Sequence, residues 1–82
     1  MIKEVIRTDS FLRKLKKLDK SILIKVEKLV IKILNNPEIG KPMKYDRKDT
    51  REVYVNPYRL AYSYNQSTKI LYLLDIYHKD EQ

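Results

Sequence analysis

Hydrophobic positions recur with two different periods along this chain, and the change falls near residues 35–42. Up to Asn35 the apolar residues follow helical spacing; beyond Pro42 they alternate as in strands. Met1–Arg7 mixes Ile2, Val5 and Ile6 with charges and reads as a short first strand. Thr8, Asp9 and Ser10 then offer short side-chain oxygens that can cap a following helix. In that helix Phe11, Leu12, Leu15 and Leu18 form one stripe, with Arg13, Lys14, Lys16 and Lys17 elsewhere. A second helix is predicted over Lys20–Asn35. Its face of Ile22, Leu23, Val26, Leu29, Val30, Ile33 and Leu34 is apolar, and Lys25, Lys28 and Lys32 gather opposite. Ile24 and Ile31 fall off the main stripe, at its polar border. They serve either as cover for the edge of the core or as an apolar strip for a partner helix. Asn35-Asn36-Pro37 ends the helix, because proline cannot continue the hydrogen-bond ladder.

Glu38–Thr50 reads as a polar connection and holds Gly40, the only glycine. A strand is predicted over Arg51–Val55, a tight turn at Asn56-Pro57, and a second strand over Tyr58–Tyr64. In the latter, Tyr58, Leu60, Tyr62 and Tyr64 share one face and Arg59, Ala61 and Ser63 the other. Asn65–Thr68 has hairpin-loop composition. The last strand, Ile70–Tyr77, should place Ile70, Tyr72, Leu74 and Ile76 on one side and Leu71, Leu73, Asp75 and Tyr77 on the other. The expected fold is one α+β domain over 1–82: two N-terminal helices packed on one face of a mostly antiparallel four-stranded sheet.

Composition narrows the chemistry. No apolar stretch approaches the ~18 residues of a membrane span, and the N-terminus lacks a signal-like apolar run, so a cytoplasmic protein with no membrane partner is expected. There is no cysteine and one histidine, with scattered carboxylates, which leaves no metal-ligand set; a single glycine leaves no phosphate-cradling loop. No cofactor is therefore expected. Ser63, His78 and Asp75 can be drawn as a hydrolytic triad, but no motif surrounds them. What remains is cationic: eighteen Lys and Arg face eleven Asp and Glu, a net charge of +7. Such an excess favours polyanions. Lys44, Arg47, Lys48 and Arg51 precede the sheet, Arg59 projects from a strand, and His78 and Lys79 follow the last one. Converging at one end of the sheet, these groups would suit RNA cleavage through its own 2′-hydroxyl. That reaction needs a base, a cation on the phosphorane and an acid at the leaving oxygen, and no metal.

The order of these parts resembles the RelE/ParE superfamily of toxins from type II toxin–antitoxin pairs. The resemblance rests on Phe11–Leu18, Gly40-Lys41-Pro42, Tyr58-Arg59-Leu60 with Tyr62, and Tyr77-His78-Lys79-Asp80, and it covers nearly the whole chain. It implies a toxin that acts as a ribosome-dependent endoribonuclease (an mRNA interferase) with mRNA and the ribosome as targets. A cognate antitoxin would silence it in a hetero-oligomer. The alternatives on the same fold are a ParE-like DNA gyrase inhibitor and a non-catalytic RNA-binding module. By resemblance Arg59 contacts the scissile phosphate, Lys79 is the basic residue after the last strand, and His78 acts in proton transfer. Where RelE places alternating lysines, this chain has Glu52 and Tyr54: a second candidate base and a residue to stack on a nucleotide. Lys44, Arg47, Lys48, Arg51 and Tyr54 are the candidate RNA contacts. Ile24, Ile31 and Lys28 are the candidate antitoxin contacts.

Overall fold

A computed structural model describes residues 2–43 and 49–81. Its elements run β1 (Glu4–Arg7), α1 (Asp9–Leu15), α2 (Lys20–Asn35), β2 (Lys41–Pro42), β3 (Arg51–Val55), β4 (Tyr58–Asn65) and β5 (Ile70–His78), and a 3-10 turn over Lys79–Glu81 closes the described chain. Both helices start where short side chains supply acceptors. The Thr8 hydroxyl accepts from Phe11 N–H at 3.1 Å, and the Asp19 carboxylate accepts from Ile22 N–H at 3.0 Å. The bond from Ile22 most of all, and then one from the Ser21 hydroxyl at 2.8 Å, hold the Asp19 carboxyl below its usual range.

The sheet has five strands in the order β1-β5-β4-β3-β2, one more than the sequence pattern predicts. Three neighbouring pairs are antiparallel, but β1 lies parallel to β5, from Glu4 opposite Ile70 to Arg7 opposite Leu73. The expected four-stranded, mostly antiparallel sheet is corrected accordingly. A parallel pair needs a long crossover, and here the whole chain from α1 to β4 supplies it. The additional strand, β2, sits inside the expected polar connection and pairs Lys41 with Glu52 and Pro42 with Arg51. Two residues carry no readable alternation.

The core lies between the helices and one face of the sheet. Phe11, Val26 and Ile33 from the helices meet Val53, Val55, Leu60, Tyr62, Leu71, Leu73 and Ile76 from the strands. On β4 the predicted alternation holds. On β5 it breaks: Ala61 faces Asp75 and Tyr62 faces Leu73, so Leu74 is an extra residue in the ladder. This bulge shifts the strand's parity, and Leu71, Leu73 and Ile76 all reach the core. Strict alternation had divided those residues between two faces. The carbonyl of Leu74 accepts from Thr8 Oγ1 at 2.6 Å, which ties the bulge to the cap of α1.

The connection after α2 is fastened to the core by one phenol. Tyr62 is fully buried; its hydroxyl donates to the Pro37 carbonyl at 2.7 Å and accepts from Gly40 N–H at 2.8 Å. A side chain at position 40 would place its Cβ 2.5 Å from that oxygen, which explains the glycine. Burial pushes the Tyr62 phenol above its usual range. Replacing Tyr62 with Phe strands both polar partners and should cost about 1–3 kcal/mol in urea unfolding. A raised phenol pKa adds stability that is present below the unfolded value of ~10 and is lost as pH rises through the folded value. The stability gap between wild type and Tyr62→Phe should therefore hold at neutral pH and shrink in strong alkali.

Candidate functional site: the open face of the sheet

The helices cover one face of the sheet. The other carries Glu52 and Tyr54 from β3, Arg59 and Ala61 from β4, and Asp75 and Tyr77 from β5. The register makes two rows across the strands: Glu52, Ala61, Asp75, and then Tyr54, Arg59, Tyr77. Paired residues in a sheet point to the same side, so these six form one surface.

Glu52 organises it. The residue is 8% exposed, the one buried charged residue among those described. A carboxylate taken out of water needs donors, and two adjoining strands supply them alongside its own. The Tyr77 hydroxyl donates to Oε2 at 2.6 Å, the Tyr54 hydroxyl donates to Oε1 at 3.2 Å, and the Arg59 guanidinium lies 3.5 Å from Oε1. Arg59 also stands over the Tyr54 ring, 5.0 Å from its centre, within cation–π range. Ala61 keeps the floor beside Glu52 low. Beyond it, Asp75 is held by α1: Lys14 Nζ lies 3.0 Å from Oδ1, and Ser10 donates to the same oxygen at 3.0 Å.

Arg59, Tyr54 and Lys79 line a shallow recess of about 330 Å³ with Asn56, Pro57 and Tyr58. Tyr54 is 53% exposed there, so its ring face is offered to solvent. The turn at its lip contains a cis peptide bond between Asn56 and Pro57, and Lys79 N–H donates to the Pro57 carbonyl at 2.9 Å, which fixes the start of the terminal turn beside the recess. Two cations and an exposed aromatic ring at one opening can hold a phosphate and stack a base. A buried carboxylate just behind the guanidinium can accept a proton.

The other sequence-derived candidates stand elsewhere. His78 pairs with Tyr58, so alternation puts it on the opposite face from Arg59. Its ring packs edge-on against Tyr58 at 5.5 Å, and its Nδ1 accepts from Asp80 N–H at 3.2 Å. The expected meeting of Arg59 and His78 in one pocket is not built, because adjacent strand positions point to opposite sides. Arg51 also faces away from the Glu52 row. Its guanidinium donates to the carbonyls of Glu38 at 3.1 Å and Gly40 at 2.8 Å, fastening the connection. A larger recess of about 460 Å³ lies near it, but Glu38 and Asp49 line that space beside the arginine and dilute its positive charge. Lys44, Arg47 and Lys48 lie outside the described residues.

On α2, Ile24 and Ile31 are 43% and 57% exposed. Each precedes a buried residue (Val26, Ile33) by two positions, about 200° around the helix. They therefore sit near its outward pole rather than at the border of the core face. Lys28 lies on the same side, four residues after one and three before the other. Tyr77 is the site residue that sequence reasoning missed. Its signal was available in the pairing of Arg59 with the strand-end motif, once the position of the bulge is known.

A family model described as the ParE toxin of the type II toxin–antitoxin system parDE matches residues 5–82. Among solved structures, the toxin–antitoxin complex RelBE2 from Mycobacterium tuberculosis matches with a TM-score of 0.82 and 25% identity, covering 95% of this chain and 99% of that one. The YoeB/ParE toxin from Agrobacterium tumefaciens matches with a TM-score of 0.82 and 17% identity, covering 93% and 98%. The isolated RelE toxin of E. coli matches with a TM-score of 0.78 and 16% identity, covering 90% and 81%. No curated protein matches the sequence. A two-helix, five-stranded RelE-like fold and the family match together define the class: this is a toxin of a type II toxin–antitoxin system. The chain belongs to the ParE toxin family within the RelE/ParE superfamily. No helix among the described residues is long and apolar enough to cross a membrane.

The Glu52 cluster makes a stability claim of its own. Glu52→Ala removes the acceptor for two phenols and the counter-charge for Arg59. It should lower unfolding stability by roughly 1–3 kcal/mol. Lys79→Ala, at an exposed position, should change it by less than about 0.5 kcal/mol. Parallel urea titrations check both values.

Proposed function

We propose that this toxin is a ribosome-dependent endoribonuclease that cuts mRNA through the 2′-hydroxyl, with the open sheet face as its active site. The observation that carries the reading is a buried carboxylate 3.5 Å from an arginine at the lip of a solvent-open recess, with a second cation and an exposed aromatic beside them. In this reading Arg59 and Lys79 take the scissile phosphate and Tyr54 stacks on an adjacent base. Glu52 Oε1 takes the proton of the 2′-hydroxyl, and the 2′-oxygen bonds to phosphorus as the bond to the 5′-oxygen breaks. Arg59 stabilises the charge that builds on the phosphorane, and the Lys79 ammonium protonates the leaving oxygen. The products are a 2′,3′-cyclic phosphate and a 5′-hydroxyl. No metal enters this chemistry. His78, on the far face, takes no part.

Primer extension on mRNA in a translating extract tests this directly. Wild-type toxin should yield discrete cuts. Arg59→Ala and Glu52→Gln should each reduce them by roughly 10²-fold or more, and His78→Ala should leave them near wild type. Intact mRNA with wild-type toxin would refute the reading.

The second reading is a gyrase inhibitor. It is favoured by the Arg59–Glu52 contact, which offsets the positive charge at the phosphate position, and by the ParE description of the family. Expression would then block supercoiling while transcripts stay whole.

We also propose that a cognate antitoxin binds this chain in a hetero-oligomer. Relatives from E. coli and Mycobacterium tuberculosis are solved as complexes of toxin with antitoxin. Ile24 and Ile31 give an apolar strip near the outward pole of α2, and Lys28 with Lys25 and Lys32 gives it a cationic flank suited to an acidic amphipathic helix. Changing both isoleucines to Asp should weaken antitoxin binding at least tenfold by calorimetry. Unchanged affinity would move the contact elsewhere.

A further inference from the structure

We infer that the two phenols on Glu52 divide its handling between them: Tyr77 is a fixed positioning residue for the carboxylate, and Tyr54 is a removable cap that a substrate hydroxyl displaces from Oε1. This deepens the endoribonuclease reading and rests on it. Three observations point the same way. The Tyr77 bond to Oε2 is 2.6 Å, the length of a strong bond from a hydroxyl to a carboxylate; the Tyr54 bond to Oε1 is 3.2 Å and weaker. Their strands differ in support. Tyr77 is half-buried on β5, against which α1 packs through Thr8, Ser10 and Lys14. Tyr54 lies past the reach of β2, which pairs only as far as Glu52, so β3 is an edge at that point and the ring is mostly in solvent. Finally, the two bonds end on different oxygens. Oε1 is also the oxygen nearest Arg59, so a hydroxyl that replaces the Tyr54 phenol arrives beside the phosphate-binding guanidinium. The groups facing Glu52 are Tyr54 from its own strand, Arg59 from β4 and Tyr77 from β5, with Lys41 its register partner on β2.

Cleavage kinetics on translating ribosomes, measured from pH 5 to 9 with the purified full chain, separate the two roles. Tyr77→Phe should lower kcat by roughly tenfold or more with KM nearly unchanged. It should also move the acid limb of the profile to higher pH, because the carboxylate loses a donor that favours its charged form. Fluorotyrosine at position 77 keeps the ring, donates more strongly, and should move that limb to lower pH; it guards against a folding defect in the phenylalanine variant. Tyr54→Phe keeps the ring and removes only the bond that the substrate must displace, so it should lower KM by roughly twofold or more. Tyr54→Ala should raise KM through lost stacking. A wild-type enzyme that cuts, joined to position-77 variants with an unmoved profile, would overturn the division of roles and leave the nuclease reading standing. So would an unchanged or raised KM in Tyr54→Phe. A wild-type chain that cuts nothing would overturn both.

Discussion

A carboxylate buried on the sheet face opposite the apolar core is the constraint from which the rest of this surface follows. Glu52 has left water without passing into the apolar core. Its desolvation is offset only if donors meet it from nearby, and they come from two adjoining strands as well as its own. Tyr54, Arg59 and Tyr77 are consequently set in one orientation before any ligand arrives. Arg59 is held at the front of the cluster, against the Tyr54 ring, where it can meet an anion without first finding its rotamer. The same carboxylate tempers the arginine's charge. A surface of this kind favours a ligand that brings a phosphate for the guanidinium and a hydroxyl for the carboxylate, and a ribonucleotide carries both.

The opposite face makes this arrangement possible. Both helices pack there; α1 reaches Asp75 through Ser10 and Lys14, but the groups that meet Glu52 come from the strands. Two local devices fit the strands to that division. The bulge at Leu74 lets Leu71, Leu73 and Ile76 share the core while Asp75 and Tyr77 remain on the open side. The Tyr62 phenol fastens the chain between α2 and β3 from within, and Arg51 fastens the same segment from its edge. Residues that look like part of a basic binding surface thus serve different ends: Arg51 joins backbone to backbone, and Arg59 faces solvent.

Much of this was legible in the sequence. The bounds of α2, the faces of β4 and the strand Arg51–Val55 follow from period alone, because each is long enough, or regular enough, to repeat its pattern. Glu52 and Tyr54 stood out as departures from the lysines of related toxins, and the structure brings both to Arg59. What escaped has physical causes. A two-residue strand such as β2 has no period. The parallel pairing of β1 with β5 joins residues 66 apart, and a strand's own pattern does not name its partner. The bulge changes parity with no glycine to mark it. Alternation across a short strand end decides that Tyr77, rather than His78, reaches Arg59, yet a motif read as a string of letters keeps both. Ile24 and Ile31 were placed at the rim of the helix face; the contacts of Val26 and Ile33 turn that face further and leave the isoleucines pointing out.

The most direct test of the central claim, that the open face around Glu52 is where RNA lies, is site-specific photocrosslinking from position 54. A photoreactive phenylalanine analogue there, in toxin added to a translating extract, should attach to mRNA and give no adduct when the analogue replaces Ile31, exposed on α2 across the molecule, instead. Crosslinks from position 54 that go to a gyrase subunit, with none to RNA, would contradict the account.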